Sequence, residues 1–472
     1  MGRRHKRPLP LLERVEITGV AAEGKALARV NDKVLFVPFA APGDVLDVQV
    51  RRSRKQYMEG EVVRVHSLSP MRVEPFCEHF GTCGGCKWQH LPYEKQLEFK
   101  QQQVTDNLER IGKLDPGLVK VYPIAGSDKT TFYRNKMEYT FSNRRWLSRD
   151  EIDSERAIDE VEGLGLHVPG MFDKVLDIKK CWLQEDPSNS IRLAIKEIAL
   201  EKGFSFFDLR ANEGLMRNLV IRNTPDGQVM VLMIFGQDDP EAIAGTMQAI
   251  HQRFPGLHSL AYMVNTKRNP SMADLEPVIF KGSPFLEEHM EELVFHVGPK
   301  SFFQTNSLQA RVLYGVVRNF AGLQGHEVLF DLYTGTGSIA CFLAPKAGKV
   351  VGIEYVDEAV THARSNARLN SLGNTVFVAG DMADVFDESL MDKEGYPHVI
   401  VTDPPRAGMH PKVVKQILQS GAERIVYVSC NPATQARDAE LLSSRYKVVK
   451  SQAVDMFPQT QHVENVLLLK RV

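Results

Sequence analysis

The chain has 472 residues, 43% of them hydrophobic, and a formal net charge of -1; it is too long for a single core and too balanced in charge for global attraction to nucleic acid. No apolar run reaches the roughly 18 residues of a membrane span, and no apolar core follows the N-terminal charges as a secretory signal would require. Six cysteines in so long a chain do not make a secreted disulfide scaffold. The expectation is a cytoplasmic protein of two or three domains, with no membrane partner.

The first 60 residues open with "MGRRHKRP" and hold 12 Lys or Arg against 7 Asp or Glu. That excess suits a polyanionic partner or a solvated basic tail equally well. Five short β-type segments follow, "RVEITGV", "KALARV", "KVLFVPF", "DVLDVQVRR" and "GEVVRVH", separated by turns such as Ala41-Pro42-Gly43-Asp44. They predict a small OB-like barrel over residues 1–68. Residues 94–112, "EKQLEFKQQQVTDNLERIG", space their apolar side chains near a 3.6 period before a Gly stop, which predicts a helix. The stretch 69–294 reads as mixed α+β, with strands at "KMEYTFS", "NLVIRNT" and "VMVLMIFG". From 295 to 472, "EVLFDLY", "KVVGIEY", "TVFVAGD", "HVIVTD" and "RIVYVSC" alternate with helical segments. The fold class is therefore α/β, with a Rossmann-like doubly wound sheet whose functional loops lie at the carboxyl ends of its strands.

Motifs cluster at those ends. "EVLFDLY" runs through "TGTGS" into a helix, so glycines allow close backbone approach and the helix N-terminus offers free N–H groups. Glu354 ends the next strand about twenty residues later, where a carboxylate can accept hydrogen bonds from both hydroxyls of a ribose. A nucleoside-type cofactor follows, although the glycine spacing departs from the nicotinamide pattern. Asp381 ends the third strand, suited either to an adenine amino group or to capping a helix. Asp403 in "DPPRAG" is held at the sheet edge by two prolines, either for chemistry or as part of a rigid turn. Cys430 ends the neighbouring strand in "SCNP"; a lone cysteine in an apolar strand is usually filler, but at a cofactor crevice it is placed to act as a nucleophile. Glu464 in "HVEN" fits a general base or a strand-edge charge. In "PKSFFQTNS", Phe302, Phe303, Gln304 and Asn306 either stack on a base and contact a cofactor or cover the sheet.

A second constellation is "CEHFGTCGGCKW", which sets Cys77, Cys83 and Cys86 in C-x5-C-x2-C spacing, with Cys181 in "IKKCWLQ" as a fourth thiol. Glycine-interleaved thiolates suit an iron–sulfur cluster better than zinc, whose paired short spacings are missing here. Cys341 sits in an apolar helix and reads as packing.

Taken together, these residues resemble the RNA uracil-5-methyltransferase family, most closely the bacterial 23S ribosomal-RNA (uracil-5-)-methyltransferases with a TRAM domain and an iron–sulfur cluster. The resemblance spans nearly the whole chain. It implies an S-adenosyl-L-methionine-dependent enzyme in which Cys430 is the nucleophile and Glu464 the base. It further implies that Gln304, Tyr333, Glu354, Asp381 and Asp403 hold the cofactor, and that Cys77, Cys83, Cys86 and Cys181 bind a [4Fe-4S] cluster. The implied organisation is an RNA-binding TRAM barrel (1–68), a central domain with the cluster (69–294) and a methyltransferase domain (295–472), acting as a monomer on 23S rRNA. Ser338 departs from the family, where Asn is common. Transfer RNA as substrate, an amino-group methyltransferase, and a non-catalytic RNA-binding iron–sulfur protein are the competing expectations.

Overall fold

The computed structural model describes residues 9–115, 117–154 and 160–472, so the basic opening "MGRRHKRP" lies outside the described residues. The N-terminal segments form six strands, Leu11–Glu16, Gly19–Val20, Ala26–Val30, Lys33–Val37, Val45–Ser53 and Tyr57–Ser67, in one sheet. The sixth strand arises because "RVEITGV" changes partner midway: Leu11–Glu16 pairs with Val45–Ser53, whereas Gly19–Val20 pairs with Ala26–Leu27. Alternate residues, among them Val15, Ala28, Leu35 and Val48, point inward to a small core. Asp44, in the expected turn, is fully buried; it accepts from the backbone of Ala41 and Ser69 and pairs with Arg72 at 2.7 Å, tying the sheet to the next segment.

The predicted helix is present as Tyr93–Arg110. The central region is a seven-stranded sheet containing the expected strands Lys136–Ser142, Met216–Asn223 and Val229–Phe235 as its middle, with helices Ser188–Glu201 and Pro240–Arg253 packed on it.

An eight-stranded sheet dominates the C-terminal region. In chain order its strands are β1 (Lys120–Ala125), β2 (Val328–Leu332), β3 (Lys349–Glu354), β4 (Thr375–Ala379), β5 (Val399–Thr402), β6 (Arg424–Ser429), β7 (Tyr446–Val454) and β8 (Glu464–Arg471). Their spatial order is β4-β3-β2-β5-β6-β8-β7-β1. The first five run parallel, β8 runs antiparallel to its two neighbours, and β1 joins β7 in parallel. Buried on both faces, β2, β5 and β6 are mostly apolar, as central strands of a parallel sheet are, with the buried Asp331 in β2 as the exception among them that carries a charge-bearing group into the core. The order reverses between β2 and β5, which opens a crevice beyond their carboxyl ends.

Two contributions begin before residue 295. β1 and the hairpin Leu286–Met290/Leu293–Val297 pack into the C-terminal core, the hairpin through Met290, Leu293, Phe295 and Val297. Neither carries the strand–helix alternation that made the rest of this region readable. No helix among the described residues is long and apolar enough to cross a membrane.

Candidate active site

The crevice is a cavity of about 1090 Å³ at the carboxyl ends of β2 to β6, and Gln304, Tyr333, Glu354, Asp381, Asp403, Cys430 and Glu464 all line it. Seven side chains from seven separate segments thus meet in one place. The Gly turn after β2 is built for close approach: Gly337 has φ +78°, and a Cβ there would lie 2.8 Å from the Ala363 Cβ. Tyr333 also has positive φ, 65°, a costly conformation for a bulky residue and one that recurs at ligand sites. The Glu354 carboxylate accepts from the backbone of Gly335 at 3.1 Å and of Val356 at 3.0 Å, which clamps the turn against the strand end. Asp381 caps the helix Met382–Val385 through Ala383 N and also lines the cavity.

"SFFQTNS" divides its two aromatics. Phe303 is buried in the sheet's core, whereas Phe302 is 68% exposed at the cavity wall. The segment is pinned from the central domain: Asn135 Nδ2 donates to the Gln304 carbonyl at 2.9 Å, and Arg222 donates to that of Ser301. Ser338 holds the Tyr314 hydroxyl at 2.7 Å, so its side chain is engaged within the wall.

Cys430 leaves β6 immediately before the helix Pro432–Leu442, capped by Asn431. Asn431 Nδ2 also donates to the Arg406 carbonyl at 2.9 Å, and Thr434 Oγ1 to the same oxygen at 3.2 Å, so the loops bearing Cys430 and Asp403 are locked together. Gly408 completes the lock; with φ +81°, any Cβ would fall 2.5 Å from Arg437 Nη2 and 2.6 Å from Asp438 Oδ2. Glu464 opens β8, paired with Val454, and is 7% exposed. Beyond it, Asn465 and Gln435 exchange amide hydrogen bonds at 2.7 and 2.9 Å, fixing β8 to the helix that follows Cys430.

The electrostatics are those of a dry acidic pocket. Burial pushes Glu464 and Asp403 well above the carboxylate range, and the Asp403 charge raises Glu464 further. Burial, then Glu464 and Asp403, push the Cys430 thiol up to about 11. Arg406 acts on both Cys430 and Glu464 in the opposite direction. Its guanidinium donates to His462 Nδ1 at 3.0 Å, and burial followed by the Arg406 charge keeps His462 neutral by pushing it down to about 4. Arg406, Tyr314 and the buried Asp331, whose carboxylate accepts from Thr334 Oγ1 at 2.5 Å, line the cavity without having been singled out in the sequence. Arg406 lies inside "DPPRAG", so an arginine unaccounted for in a functional loop was the available signal.

The cysteine-rich segment forms a separate site. Cys77, Cys83, Cys86 and Cys181 line one small cavity, which His79 also borders. Burial raises all four thiols, Cys83 to about 11 and Cys86 to about 12. Gly85 N donates to Cys83 Sγ at 3.4 Å; at the other three sulfurs neighbouring polar groups, among them the His79 backbone at Cys77, Gln89 at Cys86 and the Leu183 backbone at Cys181, act against the burial. Among the described residues, no three His, Cys, Asp or Glu side chains converge as a single metal ion requires. Cys341 is fully buried in the core, as its helix suggests.

A family model described as tRNA (Uracil-5-)-methyltransferase matches residues 285–472, and a TRAM domain model matches 13–63. An uncharacterised RNA methyltransferase of Bacteroides thetaiotaomicron is 53% identical over 96% of this chain and 100% of its own length. The chain belongs to the RNA (uracil-5-)-methyltransferase family. A second relative, an uncharacterised RNA methyltransferase of Porphyromonas gingivalis, is also 53% identical, over 97% of this chain and 99% of its own. Among solved structures, the Pyrococcus abyssi tRNA (uracil-54, C5)-methyltransferase in complex with S-adenosyl-L-homocysteine matches with a TM-score of 0.74 at 28% identity, over 97% of this chain and 100% of that one. This RNA (uracil-5-)-methyltransferase is thus an S-adenosylmethionine-dependent RNA-modifying enzyme with a TRAM domain at its N-terminal end.

Proposed function

We propose that the enzyme methylates carbon 5 of a uridine in 23S rRNA, with Cys430 as nucleophile and Glu464 as base. The observation that carries this reading is the meeting of Cys430, Asp403 and Glu464 in the cavity that also holds the Gly turn and Glu354. Its volume of about 1090 Å³ is at or above the upper end of ligand pockets, about 300–1,000 Å³, which leaves space for a cofactor and an extruded base together. All these residues come from one chain, in keeping with a monomer.

S-adenosylmethionine, when bound, supplies the methyl group, with Gln304, Tyr333, Glu354, Asp381 and Asp403 as the residues that hold it. Carbon 5 of uracil is a poor nucleophile. The Cys430 sulfur therefore adds to carbon 6, and the ring electrons displaced to carbon 5 make that atom nucleophilic. After carbon 5 is alkylated, Glu464 takes its proton; the electron pair re-forms the C5–C6 double bond and expels the Cys430 thiolate. Arg406, acting on both groups, favours their ionised forms. Phe302 at the cavity wall offers a face on which an extruded base stacks.

Cys77, Cys83, Cys86 and Cys181 are proposed to hold a [4Fe-4S] cluster. Sulfurs spread around a shared cavity suit a cluster better than zinc, which draws each sulfur to about 2.3 Å of one point, and the Gly85 N–H at Cys83 Sγ favours a thiolate there. A transfer RNA substrate is the second reading, favoured by the Pyrococcus abyssi match. Two measurements decide. RNA tritiated at uridine carbon 5 releases its label only if substitution occurs there; retention of label during methyl transfer would end the proposal. Mapping 5-methyluridine in a deletion strain is expected to show one loss in 23S rRNA, whereas a loss confined to tRNA would select the second reading.

A further inference from the structure

Among the described residues no side chain donates a hydrogen bond to the Glu464 carboxyl group, which has the Asp403 and Arg406 charges as its neighbours. Its position is therefore set by the backbone on either side. On the carboxyl side stands the Asn465–Gln435 pair. On the amino side, residues 455–463 connect β7 to β8, and residues remote in sequence grip this loop at almost every step.

Asp455 and Lys100 form an ion pair at 2.6 Å with both side chains fully buried. Lys100 Nζ also donates to the Phe457 carbonyl at 3.1 Å, and the Tyr93 hydroxyl donates to Asp455 Oδ2 at 2.8 Å. One turn earlier on the same helix, Gln96 Nε2 donates to Gln459 Oε1 at 3.0 Å while its Oε1 accepts from Gln459 N at 2.9 Å. The Gln459 carbonyl accepts from both Lys87 N and Trp88 N, directly after Cys86. Gln459 itself is held at φ +67°, a conformation that persists only where the surroundings enforce it. Burying a complete ion pair is a poor way to gain stability, since apolar side chains of similar volume often serve as well. A buried pair does define one geometry.

We propose that Gln96 and Lys100, on the helix Tyr93–Arg110, are positioning residues that place Glu464 for proton abstraction by fixing the 455–463 loop. The proposal rests on the reading of Glu464 as the base. The loop bearing Cys430 is anchored through Asn431 and Thr434 to the Arg406 carbonyl and meets the 455–463 loop where the Arg406 side chain donates to His462, away from Gln96 and Lys100, so loosening the loop at Asp455 and Gln459 impairs the last step more than the first. Cys430 still adds to carbon 6, methyl transfer still occurs, and the methylated ring then waits on the enzyme for its carbon-5 proton to leave. Misplacement by an ångström costs up to about a hundredfold in rate.

The test uses the full-length enzyme with substrate RNA containing uridine deuterated at carbon 5. Gln96→Met, Lys100→Met and the milder Tyr93→Phe are compared with wild type and with Glu464→Gln in single-turnover reactions. Covalent methylated adduct and released product are measured alongside S-adenosylhomocysteine affinity. Gln96→Met is expected to bind S-adenosylhomocysteine within about twofold of wild type, release product about ten to a hundredfold more slowly, accumulate adduct, and show a primary deuterium isotope effect. Tyr93→Phe is expected to shift in the same direction by less. If Glu464→Gln builds adduct and Gln96→Met loses activity without adduct or isotope effect, Gln96 is merely structural and the inference is overturned. Wild-type turnover in Gln96→Met overturns it equally. If Glu464→Gln itself builds none, the reading of Glu464 as base is what fails. Should Lys100→Met not fold, Gln459→Met with Gln96→Met supplies the second pair of variants.

Discussion

The cysteine cage and the catalytic cleft both bury thiols, yet they surround them differently. Around Cys77, Cys83, Cys86 and Cys181 the neighbours are the other sulfurs of the group and polar groups such as Gly85 N, which donates to Cys83 Sγ, and burial raises each thiol. Around Cys430 the neighbours are two buried carboxyl groups that add to it, with Arg406 as the opposing charge. Burial keeps both kinds of thiol protonated at rest, Cys83 at about 11 and Cys86 at about 12 against about 11 for Cys430; what sets the cage apart is that four sulfurs border one small cavity, whereas Cys430 stands alone among carboxyl groups in a large one. The two tasks proposed for the same residue type thus go with two different surroundings.

The sharpest way to break this comparison is to remove the cleft sulfur. Cys430→Ala is expected to lower methyl transfer by at least about 10⁴-fold, while S-adenosylhomocysteine affinity and iron content stay at wild-type values; turnover by this variant would end the assignment. Next in size, Glu464→Gln is expected to slow product release by about 10²–10⁴-fold, with a methylated RNA–protein adduct visible on a denaturing gel. On the cage side, Cys83→Ser is expected to lose bound iron and the broad visible absorbance of thiolate-to-iron charge transfer, whereas Cys430→Ala keeps both; colourless wild-type protein with stoichiometric zinc would overturn the cluster.

Smaller effects follow from the titrating groups. Cys430 and Glu464 are both needed ionised and both raised, so kcat/KM is expected to climb with pH between about 6 and 9; a fall across that window would contradict the assigned roles. Stability runs the other way for Asp331, which burial raises to about 7. Its folded form keeps a proton that the unfolded chain releases near pH 4, so its contribution is complete below that pH and is lost as pH rises through 7. Asp331→Asn, which retains an acceptor for Thr334, is expected to raise the Tm of the ligand-free enzyme by about 2–4 °C at pH 8 and to have no such effect at pH 4.

What the sequence revealed of the site depended on chain distance. Glu354, Asp381, Asp403 and Cys430 were readable because each stands at or just beyond the carboxyl end of a parallel strand in a short motif, and such a sheet brings those ends together; Glu464 reaches the same edge by opening an antiparallel strand, and Gln304 by the loop before the helix Ser307–Ala321. Phe302 and Phe303 were adjacent and ambiguous; only the fold shows that one faces the core and the other the cavity. Gln96 and Lys100 read as ordinary polar positions on an amphipathic helix, since their partners Gln459 and Asp455 lie 363 and 355 residues away. β1 was hidden for the same reason, as an edge strand whose neighbour β7 comes more than three hundred residues later. The barrel's sixth strand was missed at a two-residue pairing that no periodicity can register.

The pocket around Cys430 also bears on the enzyme's survival between substrates. A thiol raised to about 11 is almost wholly protonated at neutral pH, and a protonated thiol is a sluggish target for oxidants and for alkylation. If Cys430 is the nucleophile proposed above, the carboxyl groups that raise it also slow its reaction with a methyl donor bound without RNA.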